Sequence, residues 1–410
     1  MIRQILATGL AFLTGLACVA SACGQINPYD TMVNNGDPGN RVDMIFIGDG
    51  YRFNEVSTTY VSHIQSTLDH FYANAPLDRY NKFYNVHRVN VVSNESGADK
   101  PLDDIYVDTA LNASYSWGGS VERCLYFDTG LANAAVSAAL AGTGIDTNDG
   151  MLLGTINDSK YGGCGGQWGV YAGANSAASE IALHEIGHSF ANLADEYFYT
   201  DDHYSGGEPN AWNVTADPNS GKWDRWLGYD DPDSDIGPID YYEGGMYHQT
   251  GIWRPSDNSR MRALNRPFDA ISREKFIHDI YLEVDPLDDY LVLPGGDDPV
   301  SQLWVDTVDP DVIKVEWFVD GQSIGVLGET LNVNSLGLAP GEYDFMARAY
   351  DEILDFSFTG GSLDWWRLDP TMLEQTVSWN ITVSVPEPGT LGLLGLLGGA
   401  LLIGRRRRVV

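Results

Sequence analysis

The pentapeptide His184-Glu185-Ile186-Gly187-His188 constrains the fold of this chain more than any other stretch. Two imidazoles four residues apart share a face on an α-helix, where they stand about 6 Å apart and can grip one metal ion. The flanking residues agree: Ser179 to Leu183 and Ser189 to Leu193 contain neither Pro nor Gly, and they favour helix. The Glu beside the first His then points to the open side of the metal. There it can take a proton from a water and pass it to a leaving amine. The chemistry implied is hydrolysis, with zinc as the fitting cation. His supplies only 8 of 410 residues, so a chance match would occur in about one such chain in a hundred. The helical context separates this one from a decorated surface helix.

Two histidines leave zinc short of a third protein ligand, and Asp195 and Glu196 are the nearest candidates. On an unbroken helix Asp195 would stand about 10 Å further along the axis than His188, too far to share an ion. The helix is therefore predicted to stop near Asn192, a residue that tolerates the left-handed conformation, so that the chain turns Asp195 back. Glu196, His248 and Glu208 are the alternatives, the last two implying a different turn.

Each end of the chain reads as an address label. Arg3, an apolar run from Ile5 to Ala20 and the small residues Ala20-Ser21-Ala22 form a secretory signal peptide over residues 1–22. Acylation of Cys23 is the competing reading, although Ala20 stands where a lipobox prefers Leu. At the other end, Val385-Pro386-Glu387-Pro388-Gly389-Thr390 precedes an apolar run from Leu391 to Ile403 and the cluster Arg405 to Arg408. The run is at the short limit for crossing a bilayer, and its arginines would stay cytoplasmic. Over residues 385–410 this arrangement resembles the PEP-CTERM sorting tail. That resemblance implies a transient transmembrane anchor processed by an exosortase; an ordinary membrane anchor is the alternative. Both readings put the body of the protein in the cell envelope or outside the cell.

Composition fits that address. In the body only Cys124 and Cys164 are present, and in an oxidising compartment they could form one disulfide. A formal net charge of -33 argues against nucleic acid or anionic lipid as a partner of the folded part. The acidic run Asp230 to Asp235 has the charge for calcium. It lacks the Gly and final Glu of an EF-hand and reads as a solvated loop.

Along the chain, Val42 to Ile47 reads as a buried strand closed by the turn Gly48-Asp49-Gly50-Tyr51. Asn54 is predicted to cap a helix on which Val56, Tyr60, Ile64, Leu68 and Phe71 share a face. Val86 to Val92 is a second strand and Leu131 to Ala141 a helix. Met151 to Ile156 and Trp168 to Ala172 bracket the Gly-rich stretch Tyr161 to Gly166. The predicted layout over residues 40–285 is mixed α/β (α+β), with the metal helix packed under a sheet. From about Asp285 the pattern changes to short alternating strands, among them Val312 to Val319, Tyr343 to Tyr350 and Trp379 to Val383. These predict a small all-β immunoglobulin-like sandwich over residues 300–384, a passive spacer rather than a carbohydrate binder. The stretch between Pro286 and Asp298 reads as a linker.

The run from His184 to Tyr197, with Leu193-Ala194-Asp195-Glu196-Tyr197 at its end, resembles the signature of the immunoglobulin A metallopeptidase family of secreted zinc endopeptidases. Phe46 to Tyr51, Asn85 to Val89, Ser93 to Gly97, Lys160 to Gly163, Glu208 to Asn210 with Asn213 to Thr215, and Arg254 to Ser256 with Ser259 to Met261 fit the same family in order. The resemblance spans about residues 41–282 and implies a metzincin-like zinc peptidase domain. It implies that Met261 lies in a Met-turn beneath the imidazoles, against the simpler reading of a lone core methionine. The general metzincin pattern places its third ligand at the position of Ala194, so Asp195 is one residue late. No Tyr follows Met261 closely, which leaves Tyr247, His248 and Arg254 as candidates to stabilise the oxyanion.

The expectation is an exported zinc endopeptidase acting on proteins or peptides. His184, His188 and Asp195 hold zinc, and Glu185 is the general base. An open edge at Met151 to Ile156, or in the Gly-rich segment after it, would receive the extended substrate. The rivals are a surface interaction protein on a peptidase scaffold and a zinc hydrolase acting on a non-peptide bond. Nothing in the sequence identifies an immunoglobulin hinge as the substrate.

Overall fold

The computed structural model describes residues 26–384 except 120, 149, 200 and 294–299. The expected signal peptide and the C-terminal apolar run with its transmembrane stage lie outside the described residues. Among the described residues no helix is long and apolar enough to cross a membrane.

The first part of the chain runs β1 (Tyr29–Val33), β2 (Val42–Asp49), α1 (Phe53–Val56), α2 (Thr59–Phe71), β3 (Tyr84–Val89), α3 (Thr129–Ala139), β4 (Met151–Ile156), β5 (Gly163–Cys164), β6 (Gly169–Ala172) and α4 (Ala178–Ser189). β2 is buried along its whole length, as an apolar run must be when both faces of a sheet are covered. Its residues alternate between two cores. Met44 and Phe46 pack with α2 and α4, while Ile45 and Ile47 pack with Ala132 and Val136 of α3. The sheet order is β1-β3-β2-β4-β6-β5. β2, β3, β4 and β6 are parallel, and the two edge strands run antiparallel to their neighbours.

This order corrects two expectations. Met151 to Ile156 is not an open edge, because β4 is hydrogen-bonded to β2 on one side and β6 on the other. The edge is β5, inside the Gly-rich segment. Asn54 is not a cap either. It lies within α1, and the turn is fixed instead by the Glu55 carboxylate accepting from the Arg52 backbone N–H at 2.8 Å. The apolar face itself is as spaced: Val56, Tyr60, Ile64, Leu68 and Phe71 are all buried.

Beyond α4 come the hairpin β7 (Tyr242–Gly245) and β8 (His248–Arg254), then α5 (Ala270–Glu283). The remaining strands are β9 (Leu287–Tyr290), β10 (Gln302–Thr307), β11 (Ile313–Val319), β12 (Gln322–Leu327), β13 (Thr330–Asn332), β14 (Gly341–Asp351) and β15 (Glu374–Val383). They form two antiparallel sheets, β13-β10-β9 and β12-β11-β14-β15. The turn between β11 and β12 is Asp320-Gly321, with φ of 48° and 74°, the left-handed pair that a two-residue hairpin requires.

The expected linker is partly structure. Residues 287–290 pair with β10 as β9, and Asp288 takes both guanidinium nitrogens of Arg41 at 2.6 Å. The β-rich part is fastened further by Asp351, whose fully buried carboxylate accepts from Arg79 Nη2 (2.8 Å), Tyr80 Oη (2.6 Å) and Tyr281 Oη (2.8 Å). Tyr80, Phe83 and Tyr281 belong to the same apolar cluster as Leu303, Trp317, Ile353 and Trp366. One continuous core therefore joins the α/β sheet to the C-terminal strands.

Candidate active site

α4 carries the HExxH residues and packs on β6, β4 and α2. It ends at Ser189, and Asn192 then adopts φ 48°, in the left-handed region. The helix therefore stops where the spacing argument required it. The reversal brings Asp195 back over the helix face, and one donor atom each from His184, His188 and Asp195 lies within 4.8 Å of the others. The alternatives are engaged elsewhere. Glu196 is fully buried and accepts from Asn213 Nδ2 at 2.9 Å and Ser259 Oγ at 2.6 Å. Glu208 pairs with Lys222, and His248 faces Asp202.

Hydrogen bonding decides what the imidazoles can do. His184 Nδ1 faces the carbonyl of Arg260 at 3.0 Å and His188 Nδ1 faces that of Leu193 at 2.7 Å. A carbonyl only accepts, so both Nδ1 atoms carry the proton and both Nε2 lone pairs turn inward. The two Nε2 atoms are 3.2 Å apart, and Asp195 Oδ1 lies 3.1 and 3.3 Å from them. Three such atoms at that spacing need a positive charge among them, either a proton on an imidazole or a metal ion. A tetrahedral ion about 2.0–2.1 Å from each donor would hold them about 3.3 Å apart, so the donor set fits one.

Glu185 supplies the second observation. It is buried, and its Oε2 has no hydrogen-bond partner, a costly arrangement that calls for a function. Burial pushes its carboxyl up from the ordinary range, against the pull of the neighbouring imidazoles. Burial would also raise Asp195, but the imidazoles beside it hold it well below the usual carboxylate range. His188 would be lowered by burial, yet Asp195 overrides this and the imidazole is pushed up to about 9.

Glycines let the surrounding chain close on these groups. A Cβ on Gly163 or Gly165 would meet a Glu185 carboxylate oxygen at 2.9 Å, so only glycine lets this rim approach the carboxylate. A Cβ on Gly187 would meet Met261 Sδ at 2.6 Å. Met261 is fully buried and packs against the HExxH helix at Gly187. Its neighbour Arg260 supplies the carbonyl that fixes His184.

The cleft over these residues has a volume of about 720 Å³. One wall is β5 and the segment Val121 to Cys124 that precedes α3, joined by the disulfide Cys124–Cys164 that the sequence allowed. The opposite wall follows Asp195: Tyr197, Tyr199 and, from the β7–β8 turn, Tyr247. Met246 and Tyr247 both have positive φ, a strained state for such residues. The turn is held by Met246 N donating to Asp195 O (2.8 Å), Tyr247 N to Tyr197 O (3.0 Å) and Tyr199 N to Tyr247 O (3.0 Å). It delivers the Tyr247 hydroxyl to Asp195 Oδ2 at 2.6 Å. Among the three oxyanion candidates only Tyr247 lines the cleft. Arg254 is buried on the Glu243 and Gly244 carbonyls. Tyr199 and Arg123, which also line the cleft, were not singled out by spacing or pattern, because their partners are remote in sequence.

A family model for IgA Peptidase M64 matches residues 31–238, half of the chain. The chain belongs to the IgA peptidase M64 family. The matched span contains His184, Glu185, His188 and Asp195 and stops short of Met261. M64 peptidases are metallopeptidases, so the chain is a peptidase of a metal-dependent family and its substrates are proteins or peptides. A second model, for the PEP-CTERM protein-sorting motif, matches residues 384–408. This M64 peptidase is thus exported, to the cell envelope or beyond it, with its tail addressed to an exosortase. No curated protein matches the chain.

Proposed function

We propose that this M64 peptidase is a zinc endopeptidase, with the metal held by His184, His188 and Asp195 and with Glu185 as general base. The observation that carries this reading is the convergence of two inward Nε2 atoms and one carboxylate oxygen beside a buried carboxylate with an unpartnered oxygen. Two nitrogen donors and one oxygen donor suit zinc better than calcium or magnesium, which take oxygen ligands. When bound, the ion supplies Lewis acidity toward the scissile carbonyl and acidifies a water. Glu185 Oε2 then takes the water's proton and returns it to the leaving amine. The Tyr247 hydroxyl positions Asp195, and β5, whose Gly163 N–H is taken by the Arg123 carbonyl, would receive the backbone of an extended peptide beside Cys164.

The reading divides the chain into a catalytic domain over residues 40–285 and an immunoglobulin-like sandwich over 300–384, with β9 belonging to the second. No feature of the cleft points to an immunoglobulin hinge, so the family's name does not set the substrate. The test is cleavage of a peptide library by the purified ectodomain, before and after a chelator and after adding back zinc, calcium or magnesium. Cleavage lost with the chelator and restored by zinc alone is expected. Unaltered cleavage in chelator, or a chain that binds zinc and cleaves nothing, would overturn the reading; the second result would favour an interaction protein on a peptidase scaffold.

A further inference from the structure

Arg123 stands out once every cation is followed to its partner. Each of the other described Lys and Arg side chains has a carboxylate within 4.0 Å. Arg123 alone among them has none, in a chain with 57 acidic and 24 basic residues. The carboxylate beside it in sequence, Glu122, is taken by Lys160 at 3.1 Å. An arginine with no carboxylate within 4.0 Å in so acidic a protein faces a place that a carboxylate can reach from outside. That place is the cleft, whose lining Arg123 shares with His184, Glu185 and His188.

The side chain is held in place without being used up. Cys124, next to it, is bonded to Cys164 of the edge strand, and the Arg123 carbonyl accepts from Gly163 N at 3.1 Å. The guanidinium lies over the Tyr197 ring, 5.2 Å from its centroid, and its Nη2 donates to Tyr197 Oη at 2.7 Å. A guanidinium has five N–H donors in a planar fork shaped for a carboxylate. Its contacts with the Tyr197 and Tyr199 phenols leave most of that capacity unspent.

We propose that Arg123 determines specificity by taking a carboxylate of the bound peptide, so that this peptidase prefers substrates with an acidic group near the scissile bond. The proposal rests on the peptidase reading above and deepens it. The overall acidity of the chain does not reverse the preference. At physiological salt the Debye length is about 8 Å, so distant surface charge is screened while a contact inside the cleft is not. The carboxylate has two sources: an Asp or Glu side chain, or the C-terminus of the peptide.

The experiment compares matched fluorogenic peptides carrying Glu, Gln or Lys at each position flanking the cleaved bond, each with a free and an amidated C-terminus. Native protein should favour Glu over Gln at one position by about tenfold or more in kcat/KM, or favour the free acid over the amide by as much. Which ratio responds identifies the source of the carboxylate. Arg123→Gln should bring that ratio near one. Arg123→Lys should keep part of it, and added salt should weaken it. A ratio near one throughout in the native protein, or one that survives Arg123→Gln, overturns the proposal and leaves the peptidase reading standing. A second readout does not need turnover: affinity of the same peptides for Glu185→Gln, with and without Arg123→Gln. Charge-selective binding that depends on Arg123, in a chain whose native form cleaves none of the peptides, would keep the proposal and remove the peptidase reading. Absence of both selective cleavage and selective binding removes the proposal as well.

Discussion

Asp351 and Glu185 are both buried carboxylates, and their surroundings are opposite. Asp351 Oδ1 and Oδ2 receive Arg79, Tyr80, Tyr281 and the backbone N–H of Ile353. Glu185 keeps an oxygen with no partner. A satisfied buried carboxylate holds two parts of a molecule together, because removing it strands several donors. An unsatisfied one contributes nothing comparable to stability. It is free to receive a proton from something that is not protein. The difference separates groups that fasten from groups that act better than burial does, since both are buried.

Glu185→Gln tests the acting side and should have the largest effect. It keeps the shape, loses the base, and should lower kcat about 10²–10⁴-fold with metal content and thermal midpoint unchanged. Retained turnover would mean that the unpartnered oxygen is mere packing. Asp351→Asn tests the fastening side. Leaving the Arg79 guanidinium and two phenols short of their acceptor should cost about 3–5 kcal/mol in urea unfolding, with activity per folded molecule intact. A loss under about 1 kcal/mol would show that the junction does not hold the two parts.

The pH dependence of cation uptake sharpens the comparison further. In chelator-stripped protein His188 titrates at about 9, so below that pH a proton occupies the lone pair that a metal needs. Uptake must displace it, and affinity should rise about tenfold per pH unit up to that point. Competition against a chelator of known pH behaviour at several pH values would check this, and a flat profile would contradict it. The smallest effect belongs to Met261→Leu. Packing against Gly187 tolerates a similar volume, and the loss should stay under about 1.5 kcal/mol with hydrolysis retained. A loss of bound metal on that substitution would show that the methionine does more than pack.

Much of the convergence of His184, His188 and Asp195 was legible in the sequence, and for a local reason. His184 and His188 are related by one helical turn, and the need to bring Asp195 back required a reversal that Asn192 supplies with φ 48°. β2 and the α2 face were legible because their apolar residues repeat with the period of a buried strand and of a helix. What depended on distant partners was not legible. Tyr247 reaches Asp195 from 52 residues away and Asp351 meets Tyr80 across 271, separations that carry no periodicity. β5 is two residues long, too short for any alternation to show, which is why the longer β4 looked like an edge. Leu287-Asp288-Asp289-Tyr290 has a linker's composition, and it is a strand because β10 pairs with it.

The fused junction also bears on what the sorting tail is attached to. The sorting motif begins at residue 384, immediately after β15 ends at Val383, and β15 belongs to the body that shares its core with the catalytic sheet. The described chain thus passes from the shared core to the first residue of the sorting motif with no intervening loop, so the export address is attached to the same body that carries the cleft.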